Sequence, residues 1–288
     1  MSDSGEEWQV IRRRKGSARK PKNRQVSGGT ICCQEELDVV KTVRRIQDTV
    51  AELRCEDFWI DWKEKLLEVA QSLPTSVITN ENAQGTESSL PAQLQCVCYG
   101  LGPFSSIVSA RYQLAMMLLL LEAAQIPMEN CFVFDPVFSA GEKSVLKELG
   151  LMVLTENEEG KRLATKPSIF YLMHCGKALY NNLLWKNWST DLLPRIIIIG
   201  NSFTGMKDRS VEREFTRDYS FLSQAATMAK ERSLTCPSRM IDVFGDTAIM
   251  SFSSRSLLKL PELTWKDLAE PQYENCEDLE IILREAQC

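Results

Sequence analysis

The chain has 288 residues, 44% hydrophobic and 25% charged, with a formal net charge of −5, ten cysteines and one histidine. That is enough apolar material for a core of domain size, while the acidic balance disfavours duplex binding and a sole imidazole excludes a histidine-rich metal centre. The longest apolar run, Leu114–Leu121, is too short to span a bilayer.

Residues 1–30 hold eight Lys or Arg against three acids, a net of +5, so the remainder carries −10. The segment is poor in apolar residues and is expected to be a disordered basic tail. Its "RRRKGSARKPK" suits nuclear entry or RNA contact, or is simply solvated. The start lacks a secretory apolar core, and the scattered cysteines read as reduced, mostly buried thiols. These features predict a soluble cytoplasmic protein with nuclear entry through the tail. No membrane is expected as a partner, and nucleic acid only at the tail.

Over residues 31–73 two helices are expected. Leu37, Val40, Val43, Val50 and Leu53 follow three-to-four spacing, and Phe58, Trp62, Leu66, Val69 and Leu73 repeat it. Trp59 and Trp62 read as packing residues. A polar linker follows at 74–93.

From 94 to 288 the pattern alternates strand and helix and is expected to close on a C-terminal helical segment. Strands are predicted at "LQCVCYG", "CFVFDP", "LMVLTE", "SIFYLMHCG" and "RIIIIGNSF", with a sixth, "DTAIMSFS", antiparallel at an edge. Helices are predicted at Ser105–Ala124, started by serines, at Ser139–Leu149 with Gly150 as its cap, and through "KALYNNLLWKNW". Continuous apolar strands separated by long helices imply right-handed crossovers and a sheet buried on both faces. The expected class is α/β: a Rossmann-like three-layer αβα sandwich with a mostly parallel sheet.

Ligands of such sheets bind beyond the carboxyl ends of the strands. That rule selects Gly100 and Gly102 after the first strand, Asp135 after the second, His174 after the fourth, and Asn201 and Ser202 after the fifth. The glycine pair can cradle a phosphate or adenosyl group. It is incomplete: a dinucleotide loop wants glycine at Ser105, and a methyltransferase-like loop wants an acid at Cys98 and glycine at Phe104. The candidate cofactors are S-adenosylmethionine or a nucleotide, against a steep turn with no ligand. Asp135 can accept from a ribose or begin a turn before Pro136. His174 can act as a base with Cys175 or Asp135, or be a hydrogen-bonded structural residue. Asn201 and Ser202 can cap the next helix or touch a ligand. Cys96 and Cys98 read as core. Cys236-Pro237 and His174-Cys175 offer a remoter option, haem.

"CYGLGPFSS", "FDPVFS", "HCGKALYNNLLW" and "IIIIGNSF", in this order, resemble the "sensitivity to red light reduced" family over roughly Leu94–Ser254, and "EEWQVIRRRKG" resembles the basic start of its animal members. The resemblance implies regulation of circadian clock gene expression, red-light signalling in plants and control of haem biosynthesis in animals, exerted through protein partners. It supplies no catalytic residues. Where the family pattern sets a proline after His-Cys, this chain has Gly176.

Overall fold

Alternate residues along the central strands belong to two different apolar clusters. Cys96, Cys98, Ile169, Tyr171, Ile197 and Ile199 face one side, and Val97, Tyr99, Phe170, Leu172, Ile196 and Ile198 the other. A strand with period-two side chains can do this only when both faces are covered. The computed structural model describes residues 37–74, 93–266, 269–274, 276 and 279–283. The expected disordered tail and nearly all of the 74–93 linker fall outside them.

The strands are β1 Gln95–Tyr99, β2 Cys131–Phe134, β3 Met152–Val153, β4 Ser168–Leu172, β5 Ile196–Asn201, β6 Lys230–Ser233 and β7 Thr247–Ser251. They form one sheet in the order β3-β2-β1-β4-β5-β7-β6. β1 to β5 are parallel, and β7 is antiparallel to both β5 and β6. The first five strands follow the standard doubly wound order, which reverses between β1 and β4. On one face lie α1 Val39–Arg54, α2 Asp57–Gln71, α3 Val108–Ala123, α4 Ala140–Glu148 and α9 Ile241–Phe244. On the other lie α5 Lys177–Lys186, α6 Phe203–Asp208, α7 Glu212–Asp218, α8 Ser220–Met228 and α10 Ser254–Leu257. The three-layer, mostly parallel α/β architecture is therefore the one the sequence predicts.

Three expectations change in detail. The sixth predicted strand, β7, is antiparallel as expected but interior, because β6 pairs along its outer side. β6 reads Lys-Glu-Arg-Ser, so no apolar alternation announces it; charged edges of this kind also discourage pairing with other chains. β3 shrinks to two residues, since only Met152 and Val153 find partners on β2. Finally, α3 starts at Val108 behind Ile107, which makes no side-chain cap, and not at the serines. By contrast, Ser139 and Glu142 form a complete capping box at α4, and Gly150 takes a φ of +82° just past the helix.

Candidate functional site

The turn after β1 is built from its glycines upward. Gly100 has φ +66° and Gly102 +80°, a region that side chains disfavour. The amide of Gly100 donates to the Phe134 carbonyl at 3.3 Å, and that of Gly102 to Asp135 Oδ2 at 2.8 Å. Ser105 donates to Glu142 Oε1 through its amide at 3.0 Å and its hydroxyl at 2.8 Å. The amides of Ser106 and Ile107 donate to the Pro103 carbonyl at 3.2 and 2.9 Å. Phe104, buried beneath, meets the ring of Phe138 edge-on at 5.8 Å. A phosphate cradle needs amides free to point at the anion; here five of them serve the chain's own acceptors. Ser105 stands in place of the third glycine because Glu142 holds it. Burial alone would raise the Glu142 carboxyl, but the donors on Ser105 and Ser139 outweigh it and hold the pKa below the usual range.

Asp135 is 6% exposed and accepts from two backbone amides, Gly102 on Oδ2 and Val137 on Oδ1 at 2.9 Å. A carboxylate has about four lone-pair sites, so about two stay open. Asp135 lines a cleft of about 280 Å³ at the β1/β4 reversal, together with Gly100, His174 and Cys175.

Among the described residues, His174 is one of four non-glycine residues with positive φ, at +52°. Its amide donates to Asn201 Oδ1 at 2.9 Å, which accounts for Asn201. Its Nδ1 lies 3.3 Å from Nε2 of Gln113, a residue only 4% exposed. That nitrogen also donates to the Val243 carbonyl at 3.0 Å, which fixes the amide's orientation and makes Nδ1 the acceptor. The imidazole is therefore held neutral. Burial lowers its pKa; nearby Asp246 and the Gly245 carbonyl act the other way without reversing the shift. Asp246 too has a positive φ, +58°, and is paired with Arg209 at 2.5 Å. Two strained residues thus meet where β4 and β7 begin and end, the kind of backbone that functional sites retain.

The pairing of His174 with Cys175 or Asp135 does not form. Cys175 donates its thiol to the Tyr99 carbonyl at 3.2 Å, and burial drives that thiol well above its ordinary pKa. Ser202 caps α6, accepting from the Gly205 amide at 2.8 Å and donating to Glu231; it does not line the cleft. Cys236 is half-buried, its thiol pKa raised by burial, which works against thiolate ligation. Among the described residues, no three His, Cys, Asp or Glu converge in a metal-binding group, no helix is long and apolar enough to cross a membrane, and seven cysteines are free.

Sequence reasoning missed the partner of His174 and two stretches of the cleft wall. Gln113 was legible as a polar residue leading into the apolar run of α3, but its partner was not. Asn157, beyond β3, donates to the Ile282 carbonyl at 2.6 Å. Glu280, Ile281 and Ile282 complete the cleft wall from the far end of the chain, more than a hundred residues from His174, where no local pattern connects them.

The SRR1 domain model matches residues 63–258, which spans β1 to β7 and the whole cleft floor. The chain is 40% identical over 239 residues to the mouse SRR1-like protein, covering 77% of this chain and 94% of the mouse protein. It is 30% identical over 264 residues to the Drosophila SRR1-like protein, covering 89% and 86% respectively. It is 46% identical over 111 residues to the Arabidopsis protein SENSITIVITY TO RED LIGHT REDUCED 1, covering 38% of this chain and 40% of the plant protein.

Proposed function

Because this chain belongs to the SRR1 domain family, we propose that it is a regulatory protein acting on circadian clock gene expression and on haem biosynthesis through protein partners. Similarity along 94% of the mouse relative is the observation that carries this reading, and the plant relative's name ties that protein to red-light sensitivity. We place its action in the cytoplasm, with nuclear entry through the basic tail. The test is removal of the chain from cells that carry a clock-gene reporter. Rhythm amplitude or period and haem content should change, and re-expression of the full chain should restore both. Unchanged rhythm and unchanged haem would overturn the reading.

A second reading rests on the cleft itself. The open lone pairs of Asp135 suit ribose hydroxyls, so a ligand of the S-adenosylmethionine or nucleoside class fits better than one held by its phosphates. Thermal unfolding against S-adenosylmethionine, NAD, ATP and hemin decides it. A ligand at a hundredfold excess over its Kd stabilises the fold by about 2.7 kcal/mol. The shift should disappear in Asp135→Asn, and a flat panel would remove this reading.

A further inference from the structure

One wall of the cleft at the strand reversal is supplied by the far C-terminal segment of the chain. Among the described residues beyond Tyr273, Glu280, Ile281 and Ile282 line the cleft together with His174 and Cys175. We propose that residues Leu279–Ile282 form a displaceable latch, a strap that walls one side of the switch-point cleft and restricts access to it.

The geometry separates a firm anchor from a loose strap. Tyr273 is 9% exposed, and its hydroxyl sits among Asn182 Oδ1 at 2.7 Å, Asn181 Nδ2 at 3.0 Å and the Ala178 carbonyl at 3.2 Å. Beyond it, the described residues carry neither helix nor strand. Leu279 and Ile281 turn inward against the α5 side of the core, while Ile282 remains 56% and Leu283 51% exposed. The alternation is that of an extended peptide lying in a groove. Its Ile282 carbonyl is held by Asn157.

Gly176 gives the strap its room. A Cβ at that position would lie against the Glu280 Cβ, 2.9 Å from its carboxylate and 3.0 Å from its carbonyl oxygen. Gly176 has φ −67°, so its backbone does not require glycine; close approach of the strap does. The strap lies past residue 258, beyond the family match, and Gly176 lies inside it.

Such a segment opens locally without unfolding the domain, because few buried groups oppose its release. Its chemistry also describes a competitor: an extended peptide with aliphatic residues at the two inward positions and a carbonyl for Asn157. This inference concerns access to the cleft and does not depend on the clock and haem reading.

Site-resolved alkylation of the full chain, read by mass spectrometry, tests it. In the wild type Cys175 should react slowly and exposed Cys55 quickly, with buried Cys96, Cys98 and Cys131 protected. Asn157→Ala, and separately a chain ending at residue 278, should each raise the Cys175 rate roughly tenfold or more while the three core thiols stay protected. A synthetic Leu-Glu-Ile-Ile-Leu peptide added to the shortened chain should slow Cys175 again, and Leu-Glu-Asp-Ile-Leu, charged at the inward position of Ile281, should not. An unchanged Cys175 rate in both variants would show that the segment does not cover the cleft. If all four thiols opened together, the segment would be part of the core and the latch would be overturned. Equal protection by both peptides would remove the specificity argument.

Discussion

The helices ahead of β1 and the strap behind Tyr273 both flank the sheet, yet they are held in opposite ways. α1 lies wholly before the family match at residue 63, and even so Ile46 and Leu53 are completely buried, as are Trp62 and Leu66 of α2. Trp62 donates its indole N–H to the Thr235 carbonyl at 2.8 Å, and Arg54 pairs with Glu122 through two bonds of 2.6 Å. The strap turns two side chains inward and leaves two out. A 16-residue helix with a 3.6 period repeats its inward face over four turns, whereas a short extended segment has only alternate residues to bury. Burying one large apolar side chain contributes about 1.5–3 kcal/mol, so the helices are committed to the fold and the strap is exchangeable. Distance from the shared domain does not decide integration; inward apolar area does.

The severest test of that contrast is Trp62→Ala. It empties a site ringed by Phe58 and Phe244 at 6.3 and 5.3 Å and leaves the Thr235 carbonyl without its donor. A loss of about 3–5 kcal/mol is expected in urea unfolding. A loss below 1 kcal/mol would mean that α2 is as detachable as the strap. Next in size is Asp135→Ala at the cleft floor. It strands two amides, Gly102 and Val137, and should cost about 2–3 kcal/mol. Asp135→Asn keeps one acceptor and should cost less.

The helices and the sheet were readable because their signal is periodic and local. Ile196–Ile199 announces a strand buried on both faces, and Ser139 with Glu142 announces a helix start. β6 was not readable, since four polar residues at an edge need no buried face. Position in the antiparallel part was likewise hidden: the string Thr247–Ser251 predicts a strand but not which neighbour lies beyond it. The candidate residues were found from strand ends alone. Their roles were not, because the partners arrive from elsewhere: Glu142 for Ser105, Gln113 for His174, Glu280 for Gly176. Composition says nothing of such meetings between distant segments.

His174 separates the cleft floor from both flanks through pH. Its folded pKa lies below the ordinary 6.5 because burial disfavours the charged ring, and Gln113 offers Nδ1 a donor that protonation would oppose. Below pH 6.5 the unfolded chain therefore binds a proton that the folded chain resists, and stability falls as pH drops from 6.5 through the folded pKa. Above 6.5 the contribution is complete and flat. His174→Asn tolerates the positive φ and cannot titrate, so the melting temperature of the variant should lose less between pH 7.5 and pH 5.5 than that of the wild type. Equal losses would show that the ring is free of the fold. Carboxylates such as Glu142 titrate lower and affect both proteins alike.

The smallest effect on stability belongs to the strap, and its smallness is the point. Glu280→Ala removes an exposed side chain from a segment with no ladder or helix, so unfolding should change by no more than about 0.5 kcal/mol. The same substitution takes away the carboxylate beside Gly176 and should still raise the alkylation rate of Cys175. Global stability and cleft access are then governed by different residues, as a latch requires. If Glu280→Ala instead destabilised the domain on the scale of Asp135→Ala, the C-terminal segment would belong with the helices. The contrast between the two flanks would then fail from its weaker side.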